Sequence, residues 1–351
     1  MPRRFWLRFI LIGAALAMQP ASAQDAGAPM PARVIAIGDL HGDHGAWRDI
    51  ARAAGVIDAA GRWIGGATVL VQTGDIADRG PDTRKIIREL MRLQREAVRT
   101  GGRVVALVGN HEAMNMIGDL RYVSPGEFAA FANADSPRWR NLAFDANRKI
   151  SRADNGESSP LKSRKAVRAA WMDDTPLGKI EHQAAWSASG EIGKWVIANP
   201  AVVRLGDTIF VHAGLNADFA KRPIETINAS VAAALKARDT APTAIINDQE
   251  GPLWYRGLAA SATGKPGDNT ASTAAAATLD AALASLGAAR MVIGHTPAPQ
   301  GISVRLGGRL AMIDTGISRV YGGTLSYLEI ADGRFVPHVV PRSVPIEGGT
   351  P

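Results

Sequence analysis

Short apolar runs that stop at a glycine-containing turn most limit the folds open to this chain. Five such runs are followed within three residues by glycine, at 34–37, 69–71, 104–108, 209–211 and 291–293. Runs this short, rich in valine and isoleucine and bounded by turns, predict buried β-strands. Residues 310–313 and 325–330 show similar runs and predict two further strands.

Helical patterns separate the first three predicted strands. One apolar face is formed by Trp47, Ile50, Ala51 and Ala54, and a second by Ile86, Ile87, Leu90, Met91, Ala97 and Val98. The second helix has Pro81 near its start and Gly101-Gly102 at its end, which is typical of helix boundaries. An alanine-rich helix is predicted at 271–286. These patterns predict an α/β fold in which helices cover a largely buried central sheet layer.

The motifs described below lie between residues 38 and 295, so one catalytic domain is predicted at 32–340. A polar, basic insertion at about 113–200, helical in patches, is predicted to cap its site. The stretch at 259–269, which contains glycine, serine and proline, is predicted to be a loop. A flexible tail is predicted at 341–351.

The N-terminus predicts export. Arg3, Arg4 and Arg8 precede an apolar run at 9–18, and Ala21-Ser22-Ala23 offers small residues for cleavage. This order is typical of a secretory signal peptide, here 1–23, followed by a polar tether at 24–31. An uncleaved anchor is the alternative, although the run is about half the roughly 20 residues that span a bilayer. We expect a periplasmic protein cleaved near Ala23.

Charge and cysteine content exclude several functions. The chain has no cysteine, which rules out disulfides, thiolate metal sites and cysteine nucleophiles. Without the signal peptide the net charge falls from +7 to about +4, too small an excess to indicate a nucleic-acid or membrane partner. Nine basic and three acidic residues lie between Arg138 and Arg168. That segment is either a solvated helical face or a basic rim that attracts phosphorylated substrates.

Ligand-type side chains follow five of the predicted strands. They are Asp39 and His41, Asp75, Asn110, His212 and His295. Divalent metals of intermediate hardness accept carboxylate, amide oxygen and imidazole together. If one carboxylate bridges two ions about 3.5–4 Å apart, both can polarise a phosphate and ionise an attacking water.

The histidine distribution supports this interpretation. One histidine at a strand end is usually structural, but four of the seven in this chain directly follow apolar runs beside glycine. These four are His41, His111, His212 and His295. We interpret His44, His182 and His338 as surface residues or as supports around the site.

Several multi-residue blocks carry a family resemblance. Four resemble the signature blocks of the phosphoprotein phosphatase family, in that family's order: 38–42 (GDLHG), 74–80 (GDIADRG), 109–112 (GNHE) and 212–214 (HAG). Four more are similar to its bacterial Shewanella-like protein phosphatase branch: 114–116 (MNM), 118–123 (GDLRYV), 251–257 (GPLWYRG) and 294–297 (GHTP). The resemblance is weakest between 136 and 192. Ala213 stands where the family commonly has glycine, a difference of one methyl group.

The resemblance implies a fold and a role for each site residue. The fold would be the four-layer sandwich of the calcineurin-like metallophosphoesterase superfamily, with central β-sheets flanked by helices. The first metal ion would bind Asp39, His41 and Asp75, and the second Asp75, Asn110, His212 and His295. His111, paired with Asp78, would protonate the leaving oxygen. Arg79, Arg256 and Asn110 would bind the substrate phosphate.

The resemblance also implies cofactors and a substrate class. Two divalent ions are expected, with manganese favoured and iron or zinc as alternatives. The expected reaction is metal-dependent hydrolysis of phosphate monoesters on a phosphorylated protein or peptide, with a preference for phosphotyrosine. A nucleotide or dinucleoside polyphosphate phosphoesterase and a catalytically inactive binding module are the alternatives. No nucleic-acid partner and no membrane insertion after cleavage are expected, and the oligomeric state stays open.

Overall fold

The computed structural model describes residues 29–155, 164–259 and 269–343. The predicted signal peptide, most of the tether and most of the C-terminal tail lie outside these ranges, as does nearly all of the loop predicted at 259–269. Among the described helices, none combines the length and the apolar character needed to cross a bilayer.

Strands and helices alternate over the first third of the chain, and helices dominate its middle. The strands are β1 (Arg33–Ile37), β2 (Val69–Gln72), β3 (Arg103–Ala106), β4 (Val202–Leu205), β5 (Thr208–Val211), β6 (Arg290–Ile293), β7 (Ser303–Arg305), β8 (Leu310–Met312), β9 (Ser326–Ala331) and β10 (Arg334–Val339). The helices are α1 (His44–Ala53), α2 (Thr83–Val98), α3 (Asn110–Ile117), α4 (Pro125–Phe131), α5 (Ser136–Asn155), α6 (Arg164–Asp174), α7 (Lys179–Trp186), α8 (Glu191–Ala198), α9 (Ala217–Ala220), α10 (Ile224–Ala237) and α11 (Asn269–Leu286).

The strands form two five-stranded mixed sheets, in the orders β10-β9-β1-β2-β3 and β4-β5-β6-β8-β7. In the first sheet β1, β2 and β3 are parallel, and β9 runs antiparallel to β1. In the second sheet β5, β6 and β8 are parallel, while β4 and β7 are antiparallel edge strands. Each sheet therefore contains three parallel strands.

Alternate residues of these strands form the core between the two sheets. Val34 and Ala36 of β1 belong to the same buried cluster as Phe210 of β5 and Val292 of β6. The intervening residues point the other way, because strand side chains alternate in direction, and Ile35 packs among the helices. Burial on both faces explains why these strands have continuous apolar sequences. The predicted α/β fold, with central sheets flanked by helices, is confirmed.

The segment between β3 and β4 is helical, as predicted, and comprises α3 to α8. The basic segment at 138–168 falls on α5 and α6, with residues 156–163 outside the described part of the chain. One detail of the helix prediction is wrong. Val98, predicted on the buried face of α2, is 70% exposed because it is the last residue of that helix.

Candidate metal centre and active site

The predicted ligands meet at one edge of the sandwich. Parallel strands bring their carboxyl ends to the same edge, where α/β proteins usually bind ligands. Asp39 and His41 follow β1, Asp75 follows β2, Asn110 and His111 follow β3, His212 follows β5 and His295 follows β6. All seven side chains are buried, with at most 5% exposure. The structure thus brings together residues up to 256 positions apart in the chain.

The ring of His212 lies at the centre of one group of ligand atoms. Burial acts to lower the pKa of His212, but Asp75 outweighs it and raises the pKa. Its Nδ1 lies 2.8 Å from the carbonyl oxygen of Thr73 and donates to it, so in the neutral ring Nε2 carries the lone pair. That Nε2 lies 3.0 Å from Asn110 Oδ1 and 3.2 Å from His295 Nδ1. It is also 3.3 Å from Asp75 Oδ1. Lone pairs from four side chains therefore face one small volume, an arrangement that suits a divalent cation.

A second group of ligand atoms shares Asp75 with the first. Atoms of His41, Asp75 and His111 lie within 4.8 Å of one another. His41 Nδ1 lies 3.0 Å from the carbonyl oxygen of Ala77, which leaves Nε2 free, 3.9 Å from Asp75 Oδ2. Burial lowers the pKa of His41 to about 3, so the ring is neutral and can bind a metal. Burial likewise lowers the pKa of His295 to about 2.

Asp39 adds negative charge to the same volume. Its Oδ2 accepts a hydrogen bond of 3.1 Å from the backbone N–H of His295. Burial, and then the carboxylates of Asp314 and Asp75, raise the pKa of Asp39 well above its ordinary value. The neighbouring carboxylates of Asp39, Asp314 and Asp75 repel one another unless a cation lies between them. The donor set therefore fits two metal ions, with Asp75 placed to bridge them.

Asp314 is an acidic residue of this site that the sequence analysis missed. It is buried just beyond β8, the sixth parallel strand, and burial raises its pKa to about 6. Its signal was the apolar run at 310–313 followed by Asp-Thr-Gly, which repeats the pattern of the other strand ends.

His111 and Asp78 form a close buried pair. His111 Nδ1 lies 2.5 Å from Asp78 Oδ2, and Asn115 donates a 2.8 Å hydrogen bond to Asp78 Oδ1. Burial acts to lower the pKa of His111, but Asp75 and Asp78 outweigh it and raise the pKa. The ring therefore holds its proton more tightly than a free histidine, and its Nε2 is left to face the metal side.

Glu112 fixes the backbone of two site loops, a role that the sequence analysis did not assign. Its Oε2 accepts hydrogen bonds from the N–H groups of Asp75 at 2.8 Å and Gly109 at 2.9 Å. Its Oε1 accepts from Ile76 at 2.8 Å and Ala77 at 3.0 Å. A Cβ on Gly109 would lie 2.3 Å from Asp75 Oδ1, so only glycine allows the two loops this approach.

Five site residues have left-handed backbone conformations. His41, Asp75, Asp78, Arg79 and His295 have φ angles between 42° and 72°, a region that side chains with a Cβ rarely adopt. Such conformations persist only where surrounding structure enforces them, and they concentrate at functional sites.

The two predicted phosphate-binding arginines border this centre differently. Arg79 Cζ lies 4.5 Å from the ring centroid of Tyr122 and 5.1 Å from that of Tyr321. Among the described residues its Nε has no hydrogen-bond partner. Arg256 is exposed, and its Nη1 donates to the carbonyl oxygen of His295 at 3.1 Å and to Thr296 Oγ1 at 2.9 Å. Both tyrosines were absent from the predicted site.

His182 occupies an unexpected position. We expected it at the surface or around the site, but it is completely buried in the helical insertion, between Phe128 and Phe131. Its Nε2 lies 3.4 Å from Glu127 Oε1. Burial lowers the pKa of His182 to about 3 and raises that of Glu127 well above its ordinary value, with Asp78 as a further cause for Glu127. Burial therefore favours the neutral form of both groups.

The other two of these histidines match the expectation. His44 Nε2 lies 2.7 Å from Glu89 Oε2, and the ring of His338 stacks on Tyr327 with centroids 4.5 Å apart. Neither belongs to the two groups of ligand atoms.

The fold and this centre together define a class of metal-dependent hydrolase. Residues 32–307 match the calcineurin-like phosphoesterase family, and the chain belongs to that family. It is a phosphatase enzyme of this superfamily and uses divalent metal ions, as its relatives and its paired ligand groups indicate.

Two relatives and one solved structure are similar to most of this chain. The chain is 34% identical over 300 residues to Shewanella-like protein phosphatase 2 of Arabidopsis thaliana, covering 82% of this chain and 72% of the relative. It is also 34% identical over 311 residues to an uncharacterized protein of Schizosaccharomyces pombe, covering 86% of this chain and 78% of the relative. In fold it is similar to the cold-active protein-tyrosine phosphatase of a psychrophilic Shewanella species. That structure has a TM-score of 0.63 and 22% identity, with 88% of this chain and 80% of the other covered.

Proposed function

We propose that this chain hydrolyses phosphate monoesters on proteins or peptides, prefers phosphotyrosine, and carries manganese in both metal positions. The observation that carries the proposal is the convergence of metal-ligand atoms around His212 Nε2, next to the His111–Asp78 pair. Iron and zinc suit the same ligands. The preference for phosphotyrosine is supported by the blocks shared with the Shewanella-like branch and by the fold shared with a protein-tyrosine phosphatase.

In this proposal the side chains divide the work between binding and proton transfer. When bound, the two metal ions would polarise the phosphate and supply an activated water. Arg79 would bind phosphate oxygens through its planar guanidinium, and Arg256 would contact the phosphate from the His295 side. His111 would donate its Nε2 proton to the leaving oxygen. Asp78 would keep that ring in the required tautomer and stabilise its charged form.

Asp78 and Asp75 lie at different distances from the His111 ring, which gives them different roles. Asp78 Oδ2 is 2.5 Å from His111 Nδ1, whereas Asp75 Oδ2 is 3.9 Å from His111 Nε2. Asp78 can therefore orient the ring through a hydrogen bond, while Asp75 stays available to metal ions. Asn115 and the backbone around Glu112 hold both carboxylates in place.

We also propose export to the periplasm, on the order of basic, apolar and small residues at the N-terminus. Phosphorylated proteins or peptides in that compartment would be the substrates. Dinucleoside polyphosphates are cytoplasmic, so export disfavours them as substrates.

A matched substrate panel tests the proposal. One peptide sequence carrying phosphotyrosine, phosphoserine or phosphothreonine should be hydrolysed by the manganese-loaded enzyme with the highest kcat/KM for phosphotyrosine. Dinucleoside tetraphosphate and nucleoside monophosphates serve as competing substrates in the same assay. Faster hydrolysis of a nucleotide than of every phosphopeptide would replace this proposal with the nucleotide phosphoesterase. An equal rate for all three peptides would remove only the phosphotyrosine preference.

A further inference from the structure

The four tyrosines of the chain are distributed unevenly with respect to the metal centre. Tyr122 and Tyr321 lie 199 positions apart in the chain, yet both flank the guanidinium of Arg79. Each also contacts a different site histidine. The ring centroid of Tyr122 is 5.1 Å from that of His111, and the centroid of Tyr321 is 5.4 Å from that of His41. The two rings therefore occupy distinct sides of the same site.

Tyr122 lies on the side where the leaving group must be. His111 Nδ1 is engaged by Asp78, so only Nε2 can give a proton to the leaving oxygen. That oxygen must approach Nε2 to about 2.6–3.2 Å. In a phosphotyrosine ester, the aryl ring is bonded directly to this leaving oxygen. The ring would therefore lie next to the protein side chain that packs on His111. Tyr122 is that side chain, and it is 37% exposed.

Local contacts hold Tyr122 in this place. Its carbonyl oxygen accepts a 2.9 Å hydrogen bond from the backbone N–H of Arg79. Arg121 Cζ lies 6.0 Å from the ring centroid, and Arg121 is itself fixed by hydrogen bonds of 2.9 and 2.6 Å to Asp119. A ring restrained in this way loses little conformational entropy when a substrate contacts it.

Tyr321 packs on a different histidine of the centre, with its ring centroid 5.4 Å from that of His41. It is partly buried, and burial, with Asp314, Asp75 and Asp39 nearby, raises its pKa to about 12 although Arg79 acts against the shift. It lies against His41, which belongs to a group of metal-ligand atoms. Tyr321 can therefore orient Arg79 toward the phosphate, and it packs on His41, whereas Tyr122 packs on the proton donor His111.

We propose that Tyr122 is a specificity-determining residue that contacts the aryl ring of the leaving group, whereas Tyr321 positions Arg79 for all phosphate monoesters. This inference rests on the proposed function, since it places the leaving oxygen at His111. An aryl leaving group gains contact with the Tyr122 ring, and the single methylene of a serine ester offers much less surface. Tyr122 thus favours phosphotyrosine through its ring and not through its hydroxyl group.

Three matched substitutions separate these roles. The readout is the selectivity ratio, the kcat/KM for a phosphotyrosine peptide divided by that for the phosphoserine peptide of the same sequence. Aromatic pairs contribute about 0.5–1.5 kcal/mol beyond their buried area, so Tyr122→Leu should lower the ratio by about two- to twelvefold. Tyr122→Phe should keep the ratio of the unmodified enzyme. Tyr321→Leu should lower both kcat/KM values alike and leave the ratio unchanged.

A binding measurement repeats the test without turnover. The metal-loaded enzyme is titrated calorimetrically with phenylphosphonate and with methylphosphonate. Tyr122→Leu should bind phenylphosphonate more weakly than the unmodified enzyme does, and should bind methylphosphonate equally well. Thermal melting of each variant checks that it is folded.

The outcomes distinguish a failure of the role given to Tyr122 from a failure of the proposed function. An unchanged ratio and unchanged phenylphosphonate affinity in a folded Tyr122→Leu enzyme would overturn the role of Tyr122 and leave the phosphatase assignment intact. An equal fall of the ratio in Tyr321→Leu would overturn the division between the two tyrosines. If the unmodified enzyme hydrolysed no phosphopeptide, the proposed function itself would fail, and this inference with it.

Discussion

Replacement of Glu112 by glutamine tests the claim that one carboxylate holds two catalytic loops together. The four N–H groups that it accepts lie at 2.8–3.0 Å, two on each oxygen. Glutamine has nearly the same shape, but only its carbonyl oxygen accepts hydrogen bonds. The amide nitrogen would face two buried N–H donors. The substitution therefore removes two of the four hydrogen bonds and leaves two backbone donors without an acceptor.

The size of the loss follows from this count. A hydrogen bond to a charged group contributes about 1.5–3 kcal/mol, so two of them amount to roughly 3–6 kcal/mol. Part of this is offset, because burial and the charge of Asp75 raise the pKa of Glu112 and so disfavour its carboxylate form. We expect the free energy of unfolding to fall by about 3 kcal/mol in the metal-free protein.

Urea denaturation followed by tryptophan fluorescence, with a chelator present, measures this change. With a slope near 3 kcal/mol per M, the midpoint should move down by about 1 M. Glu127→Gln is the matched control. Glu127 is equally buried, but one of its oxygens has no hydrogen-bond partner among the described residues, and burial raises its pKa well above the ordinary value. Burial thus favours the neutral carboxyl group that glutamine resembles, so a change below about 0.5 kcal/mol is expected. Equal midpoint shifts in the two variants would refute the role given to Glu112.

Four further predictions address the metals, the acid, the insertion and the N-terminus. Chelation should abolish hydrolysis of an aryl phosphate and manganese should restore it; full activity with fewer than two metal equivalents by elemental analysis would contradict the two-metal site. His111→Asn should slow alkyl phosphates far more than 4-nitrophenyl phosphate, because only poor leaving groups need the proton; equal losses would exclude His111 as the acid. His182, whose pKa burial lowers to about 3 from 6.5, stays neutral in the folded state while the unfolded chain takes up a proton. Stability should therefore fall below pH 6.5 by about 1.4 kcal/mol per unit from this group, and His182→Phe should lose that part of the slope in urea titrations at pH 4–6. The exported protein should begin near Gln24 by N-terminal sequencing, and retention of Arg3 in a membrane-bound active form would favour the anchor.

Much of the fold could be predicted because buried parallel strands have conspicuous sequences. Residues 34–37 and 69–71 are apolar on both faces of their sheet, so nothing polar interrupts the pattern. Three of the four edge strands, β4, β7 and β10, escaped prediction, whereas the edge strand β3 was predicted from its apolar run. β7 has only three residues, and β10 contains charged or polar residues and Pro337, since an edge strand is partly open to water.

The predicted metal ligands could be proposed from the sequence because each lies within four residues of a strand end, in a glycine-containing turn. Glu112 stood inside a recognised block, but three of its four donors, Asp75, Ile76 and Ala77, belong to another loop, and only coordinates show that they bind it. Tyr122 stood in the recognised 118–123 block without an assigned role, and Tyr321 lies 199 positions away, outside every recognised block. Only coordinates show that both contact Arg79. His182 gave no sign of burial because its apolar neighbours lie on two different helices, α4 and α7.

The left-handed backbone at the five site residues lowers the stability of the fold at positions whose side chains the site needs. At each position glycine would relieve a cost of about 1–3 kcal/mol, and each substitution would also delete a side chain that the site uses. A population of variants selected only for heat resistance would therefore accumulate glycine at these places and lose activity while gaining stability. Laboratory evolution of this enzyme should therefore screen for turnover in every round, because glycine at these positions would remove side chains of the metal centre itself.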